Sequence, residues 1–99
     1  MSFVTAMSEA MTATAGGLEA VGSAVDAGNA AAAAPTTGVI PAAADAVSAL
    51  TAVQFATHAQ MYQAISAQAA TIHALFVATL GASAGSYAAA EAANAATLF

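Results

Sequence analysis

Residues 35–50 read PTTGVIPAAADAVSAL, and the fold turns on how the first seven of them are taken. Pro35 disfavours helical geometry at the residue before it, Gly38 can turn the chain, and Pro41 suits the first position of a new helix. Asp45 then sits in or just before that helix's first turn. Ala-rich runs flank the stretch on both sides, and Ala is the best helix former. The β-branched residues are scattered and never alternate over several positions, so nothing reads as a strand. The expectation is an all-α chain: an antiparallel two-helix hairpin, with helix 1 over about 5–34, the turn over about 35–41 and helix 2 over about 41–80.

Outward from the turn, the larger side chains of helix 1 form a heptad seam: Val4, Met7, Met11, Thr14, Leu18, Val21 and Val25, spaced alternately three and four residues apart. Thr5 or Ser8 can cap this helix, and Glu9 in its first turn is favoured by the helix dipole. Gly16, Gly17, Gly22 and Gly28 each cost a helix interior about 1 kcal/mol relative to Ala. Close approach of a neighbouring helix offsets that cost. Helix 2 carries two stripes. One runs through His58, Tyr62, Ile65, Ala69, Ile72 and Phe76, the other through Leu50, Val53, Met61, Ala64, Gln68 and Leu75. Two apolar stripes call for two neighbours, one inside the hairpin and one outside it; either stripe can be the inner one. The chain therefore reads as part of an elongated helical bundle completed by a partner.

Composition supports that reading and excludes others. The chain is 61% hydrophobic and 5% charged, without a single Lys, Arg or Cys, whereas soluble domains are about a quarter charged. A monomer of this kind exposes more apolar surface than soluble proteins tolerate. Nucleic-acid affinity comes largely from cations meeting phosphates, so a net charge of −5 argues against that partner. A polybasic contact with anionic lipid fails for the same reason, and Met1-Ser2-Phe3-Val4 lacks the positive region that opens a Sec signal. Gln54, His58, Gln60, Gln63, Gln68 and His73 interrupt the long uncharged segment between Asp45 and Glu91. Those polar groups argue against a conventional membrane span, though not against a membrane-associated oligomer.

Residues 81–94, GASAGSYAAAEAAN, hold two candidate motifs. Gly81-Ala82-Ser83-Ala84-Gly85 spells the G-x-S-x-G elbow of α/β-hydrolases, but such an elbow joins a strand to a helix and its histidine follows. Here an apolar helix precedes it and both histidines lie upstream, so the pentapeptide reads as a linker at a helix end. His58 and His73, about 22 Å apart along a helix, cannot share a metal ion. Glu9, Glu19, Asp26, Asp45 and Glu91 form no evident acid/base pair. No catalytic, metal, cofactor or small-molecule site is expected. Tyr87 and Glu91 fit Y-x-x-x-[DE]; on a continuing helix the two share one face, and alone the match is weak.

Met1-Ser2-Phe3-Val4, Asn29 with the Ala30–Ala34 run, residues 35–50, QFATHAQMYQAISAQAATIH at 54–73 and SYAAAEAAN at 86–94 together resemble a mycobacterial PE-family domain. The resemblance covers essentially the whole chain. One departure is that Ser8-Glu9 stands where the family carries Pro-Glu, which bears on the first turn of helix 1. The resemblance implies a hairpin over 1–85 that pairs lengthwise with a PPE-family protein in a four-helix interface. It also implies a segment over 86–99 whose Tyr87 and Glu91 are the export signal of a type VII (ESX) secretion system. An EspG-type chaperone is expected to grip the PPE subunit in the cytosol, and the pair to reach the cell envelope, cell surface or exterior. The expected partner-binding residues are Met7, Met11, Leu18, Val21, Val25, Leu50, Val53, Met61, Tyr62, Ile65, Ile72 and Phe76. Some relatives carry lipase or Gly-rich extensions; with Phe99 as its last residue, this chain is expected to have none. A membrane-associated pore or nutrient-transport component is the alternative reading, and an esterase acting through Ser83 a distant third.

Overall fold

The computed structural model describes residues 4–97; Met1–Phe3, part of the N-terminal match, and Leu98–Phe99, the end of the 86–99 segment, lie outside that range. Two helices make up the described chain: α1, Ser8–Thr37, and α2, Ala46–Thr97. There is no strand among the described residues. The chain divides into two compact units, Met1–Gly22 with His73–Phe99 and Ser23–Ile72. Within each unit a stretch of α1 runs antiparallel to a stretch of α2, so the fold is the expected helical hairpin.

The helix bounds differ from those read off the sequence, each for a local reason. α1 does not stop at Ala34 but carries Pro35 inside it and ends at Thr37. In a last turn, proline forfeits one backbone bond rather than breaking a helix in two. Hydroxyls reinforce the neighbouring carbonyls: Thr36 Oγ1 donates to Ala32 O at 2.6 Å and Thr37 Oγ1 to Ala33 O at 2.7 Å. Gly38 N–H closes the helix on Ala34 O at 3.0 Å without a positive φ. At the other end, neither Thr5 nor Ser8 occupies the cap position, because Met7 O accepts the first helical bond from Met11 N–H at 3.2 Å.

α2 begins at Ala46 rather than Pro41 because Asp45 caps it. Its Oδ1 accepts the Ser48 N–H at 2.9 Å, its Oδ2 the Ser48 hydroxyl at 2.8 Å, and its carbonyl the Ala49 N–H at 3.1 Å. A side chain that satisfies an otherwise unpaired helical donor outweighs a proline that merely tolerates having none. The helix then passes Leu80 without a break and continues to Thr97. The pentapeptide 81–85 is therefore mid-helix, not a linker, and residues 86–97 are no separate segment. Neither Gly81 nor Gly85 takes a positive φ, and between them Ala84 is buried, 2% exposed.

The buried side chains of the described chain are all alanines: Ala15, Ala52, Ala59 and Ala84. In α2 the least exposed positions are Ser48, Ala52, Ala56, Ala59, Gln63, Ser66, Ala70, His73, Val77, Leu80, Ser83, Ala84 and Glu91, which recur at helical spacing. Neither predicted stripe is the inner one. A third line, mostly of small and polar residues but including Val77 and Leu80, faces the sister helix, and both large-residue stripes point away from it. In α1 the half-buried Met11 and Leu18 belong to the predicted seam, but Val4, Met7, Val21 and Val25 are exposed, and Ala15 and Gly22 replace them inside. Small side chains let two helices approach closely, and a pair of helices has only one face each to hide.

In the unit formed by Met1–Gly22 and His73–Phe99, α2 comes close to α1 at Gly22. A Cβ built there would lie 2.8 Å from His73 Cδ2 and 2.9 Å from Nε2, while Nε2 sits 2.6 Å from Leu18 O. A carbonyl only accepts, so Nε2 carries the proton. Gly16, Gly17, Gly28, Gly81 and Gly85 have open space where a Cβ would go, so within the hairpin only Gly22 is explained by close helix approach.

Two outcomes follow for thermal unfolding monitored by circular dichroism. Gly85→Ala should stabilise the hairpin by up to about 1 kcal/mol through helix propensity, whereas Gly22→Ala should destabilise it despite the same propensity gain. Asp45→Ala should lower the unfolding midpoint at neutral pH. The Ser48 N–H and hydroxyl bonds hold the Asp45 carboxyl below its ordinary value. Its contribution is thus full above the unfolded pKa of about 3.9 and lost as pH falls through the lower folded value. The gap between Asp45→Ala and the parent should close over that acid range.

Candidate functional site

The outward faces of the helices carry the side chains with most to offer a partner. In the Ser23–Ile72 unit, Leu50, Val53, Met61, Tyr62, Ile65 and Ile72 are all exposed, Leu50 at 67% and Ile72 at 68%. α2 puts them outward because its inner line is already occupied by Ala52, Ala59, Gln63 and Ser66. Tyr62 is the one anchored side chain of that set: its hydroxyl donates to Asn29 Oδ1 at 2.8 Å, next to a Gln63 Nε2 bond to Asn29 O at 2.9 Å. Asn29 thus ties the two helices together while leaving the Tyr62 ring outside, 49% exposed.

Phe55, absent from the predicted set, is 62% exposed and central to the apolar surface near the turn. It lines a recess of about 360 Å³ with Val39, His58 and Tyr62, and a second of about 240 Å³ with Ile40, Val47 and Thr51. The sequence held the signal: Phe55 precedes His58 by three residues and so begins the His58–Tyr62–Ile65 stripe one step earlier. His58 itself lines the first recess, consistent with a surface residue rather than a ligand.

In the unit containing both chain ends, Phe76 is exposed like Met7 and Val21, while Met11 and Leu18 are half-buried and divide their surface between the sister helix and the outside; Val25, in the Ser23–Ile72 unit, is exposed as well. Tyr87 is 51% exposed. Because α2 is continuous, Tyr87 and Glu91 stand one helical turn apart on one face. Glu91 is not a free acid at a fraying end: it is half-buried and its Oε1 accepts the Ala6 N–H at 2.8 Å. Nothing in the local sequence announces that bond, whose partners are 85 residues apart.

Chemistry of other kinds finds no assembly. No group of three or more His, Asp or Glu gathers among the described residues. Ser83 lies within α2 with helix on both sides, where no strand-to-helix elbow exists to expose its hydroxyl.

The features that stand out are thus a turn sequence, an alanine-lined hairpin, outward apolar faces and a Tyr–Glu pair late in α2. The PE family model matches residues 4–94. The chain is 64% identical over 96 residues to the PE family protein PE13 of Mycobacterium tuberculosis, covering 97% of each. It is 58% identical to the PE-PGRS family protein PE_PGRS8 and 59% identical to PE_PGRS33, both from M. tuberculosis. It spans 56% of the first of these and 20% of the second. None of these three relatives is named for an enzymatic activity. With a family match along nearly its whole length and a relative matched end to end, this chain belongs to the PE family.

Proposed function

We propose that the chain is a non-enzymatic helical subunit that pairs with a PPE-family protein, the two hairpins forming a four-helix interface. The observation that carries this reading is the inversion of the usual burial pattern: alanines inside, and Leu50, Val53, Phe55, Met61, Ile65, Ile72, Leu75 and Phe76 outside. Burying one such side chain contributes about 1.5–3 kcal/mol, so a partner covering the outer face of α2 gains most of what the hairpin alone forgoes. The absence of Lys and Arg leaves that face without the charged rim that keeps monomers apart.

On this reading the pair is exported by a type VII (ESX) secretion system, with Tyr87 and Glu91 as the signal, to act at the mycobacterial cell surface or beyond it. An EspG-type chaperone holds the PPE subunit before export. Family membership and the same-face placement of Tyr87 and Glu91 support this. A second reading, a membrane-associated pore or nutrient-transport component of the envelope, draws on α2 itself, which is long and apolar enough to cross a membrane by length and composition. Release of the chain by carbonate wash, with solute uptake unchanged on its deletion, would count against that reading.

Pairing is tested by co-expression with the PPE protein encoded beside it and light scattering after size exclusion. A 1:1 helical complex is expected, and a well-behaved monomer from the chain alone would contradict the proposal. Leu50→Asp and Ile65→Asp should each weaken the complex by about 100-fold or more, the sum of lost burial and a buried unpaired carboxylate. Undiminished pairing would move the interface elsewhere. Tyr87→Ala and Glu91→Ala should leave the complex formed but remove it from the culture filtrate.

A further inference from the structure

Glu91 offers its carboxylate to a backbone amide rather than holding it out for a visitor. Ala6 precedes the first helical residue of α1, Ser8. Ala6 stands outside the helix, one residue before Met7, whose carbonyl accepts the first helical bond, so its N–H has no intrahelical acceptor. The Glu91 carboxylate supplies one at 2.8 Å, and it does so beside the positive end of the α1 dipole, where an anion is favoured. Such a charge-assisted bond is stronger than a neutral one. It pins residue 6 to the helical turn that follows Tyr87, whose ring remains half exposed.

We propose that Glu91 is a positioning residue of the export surface: its bond to the Ala6 amide fastens the segment before α1 to the turn of α2 that follows Tyr87, so the exporter meets a folded, two-segment surface rather than a linear motif. This rests on the export reading above. The two residues then have different duties. Tyr87 is the side chain that is touched, and Glu91 acts through Ala6. A partner fitted to this surface is a protein that packs an apolar pocket around the tyrosine ring and lies across both chain segments, so an isolated peptide containing Tyr87 and Glu91 binds it poorly.

Ala6→Pro separates the two roles, because proline removes the N–H and leaves Glu91 untouched. The full chain is expressed in a mycobacterial host with its PPE partner, and the complex is measured in cytosol and culture filtrate. Export of Ala6→Pro should fall about tenfold or more, the scale of one hydrogen bond to a charged group, with cytosolic complex unchanged. Ala6→Gly, which keeps the donor, and Glu91→Gln, which keeps an accepting oxygen, should export like the parent. Hydrogen exchange at the Ala6 amide should be slow in the parent and Glu91→Gln complexes and fast in Glu91→Ala. Normal export of Ala6→Pro alongside loss in Glu91→Ala overturns the proposal and leaves the export reading standing. Loss of export in Glu91→Gln while the Ala6 amide stays protected overturns it as well. Normal export of both Tyr87→Ala and Glu91→Ala removes the two readings together.

Discussion

Everything in this hairpin follows from the closeness of its two helices. A pair of helices can hide one narrow face each, and the tightest way to do so is with side chains that occupy almost no room. Ala15, Ala52, Ala59 and Ala84 fill that line, and where α1 offers Gly22 the gap is small enough for the His73 ring to reach a helix carbonyl. The inner face yields little hydrophobic stabilisation, because a methyl group has little apolar area to lose. The large side chains, excluded from it, accumulate outside. The outward stripes are thus the geometric remainder of close packing rather than a separate feature.

Cross-links between the helices are correspondingly polar and few. Asn29 receives Tyr62 and Gln63, Leu18 O receives His73, and Ala6 gives its amide to Glu91. Each meets a backbone group or a short polar side chain. These contacts set which turn of α1 lies opposite which turn of α2. Alanine against alanine specifies register weakly, since sliding one small residue past another costs little. Directional bonds therefore carry specificity that bulkier cores obtain from shape.

Much of this was legible in the sequence. The Ala-rich runs, the Pro/Gly-bearing turn and the Asp45 start signal were enough for two helices in a hairpin, and the spacing of Tyr87 and Glu91 was enough to put them on one face once the helix continued. Helix ends are less legible, because propensity penalties depend on position: Pro35 costs one bond in a last turn, and two glycines are tolerated in an alanine-rich helix. The inner face of α2 is not legible, because hydrophobic periodicity is carried by large side chains and here those lie outside. In this fold size points outward, and the alternation of Ala52, Ala59, Ser66, His73, Leu80 and Ala84 was present in the sequence but had no hydrophobic contrast to mark it. The Ala6–Glu91 bond was beyond reach, since no local rule relates positions at opposite ends of a chain.

The contact between Gly22 and His73 also constrains how such a sequence can change over evolutionary time. A Cβ at position 22 would come within 3 Å of the imidazole, so the ring would have to turn aside and give up the Leu18 carbonyl. The two sites are therefore coupled, and what a side chain at position 22 costs depends on what residue 73 must leave behind.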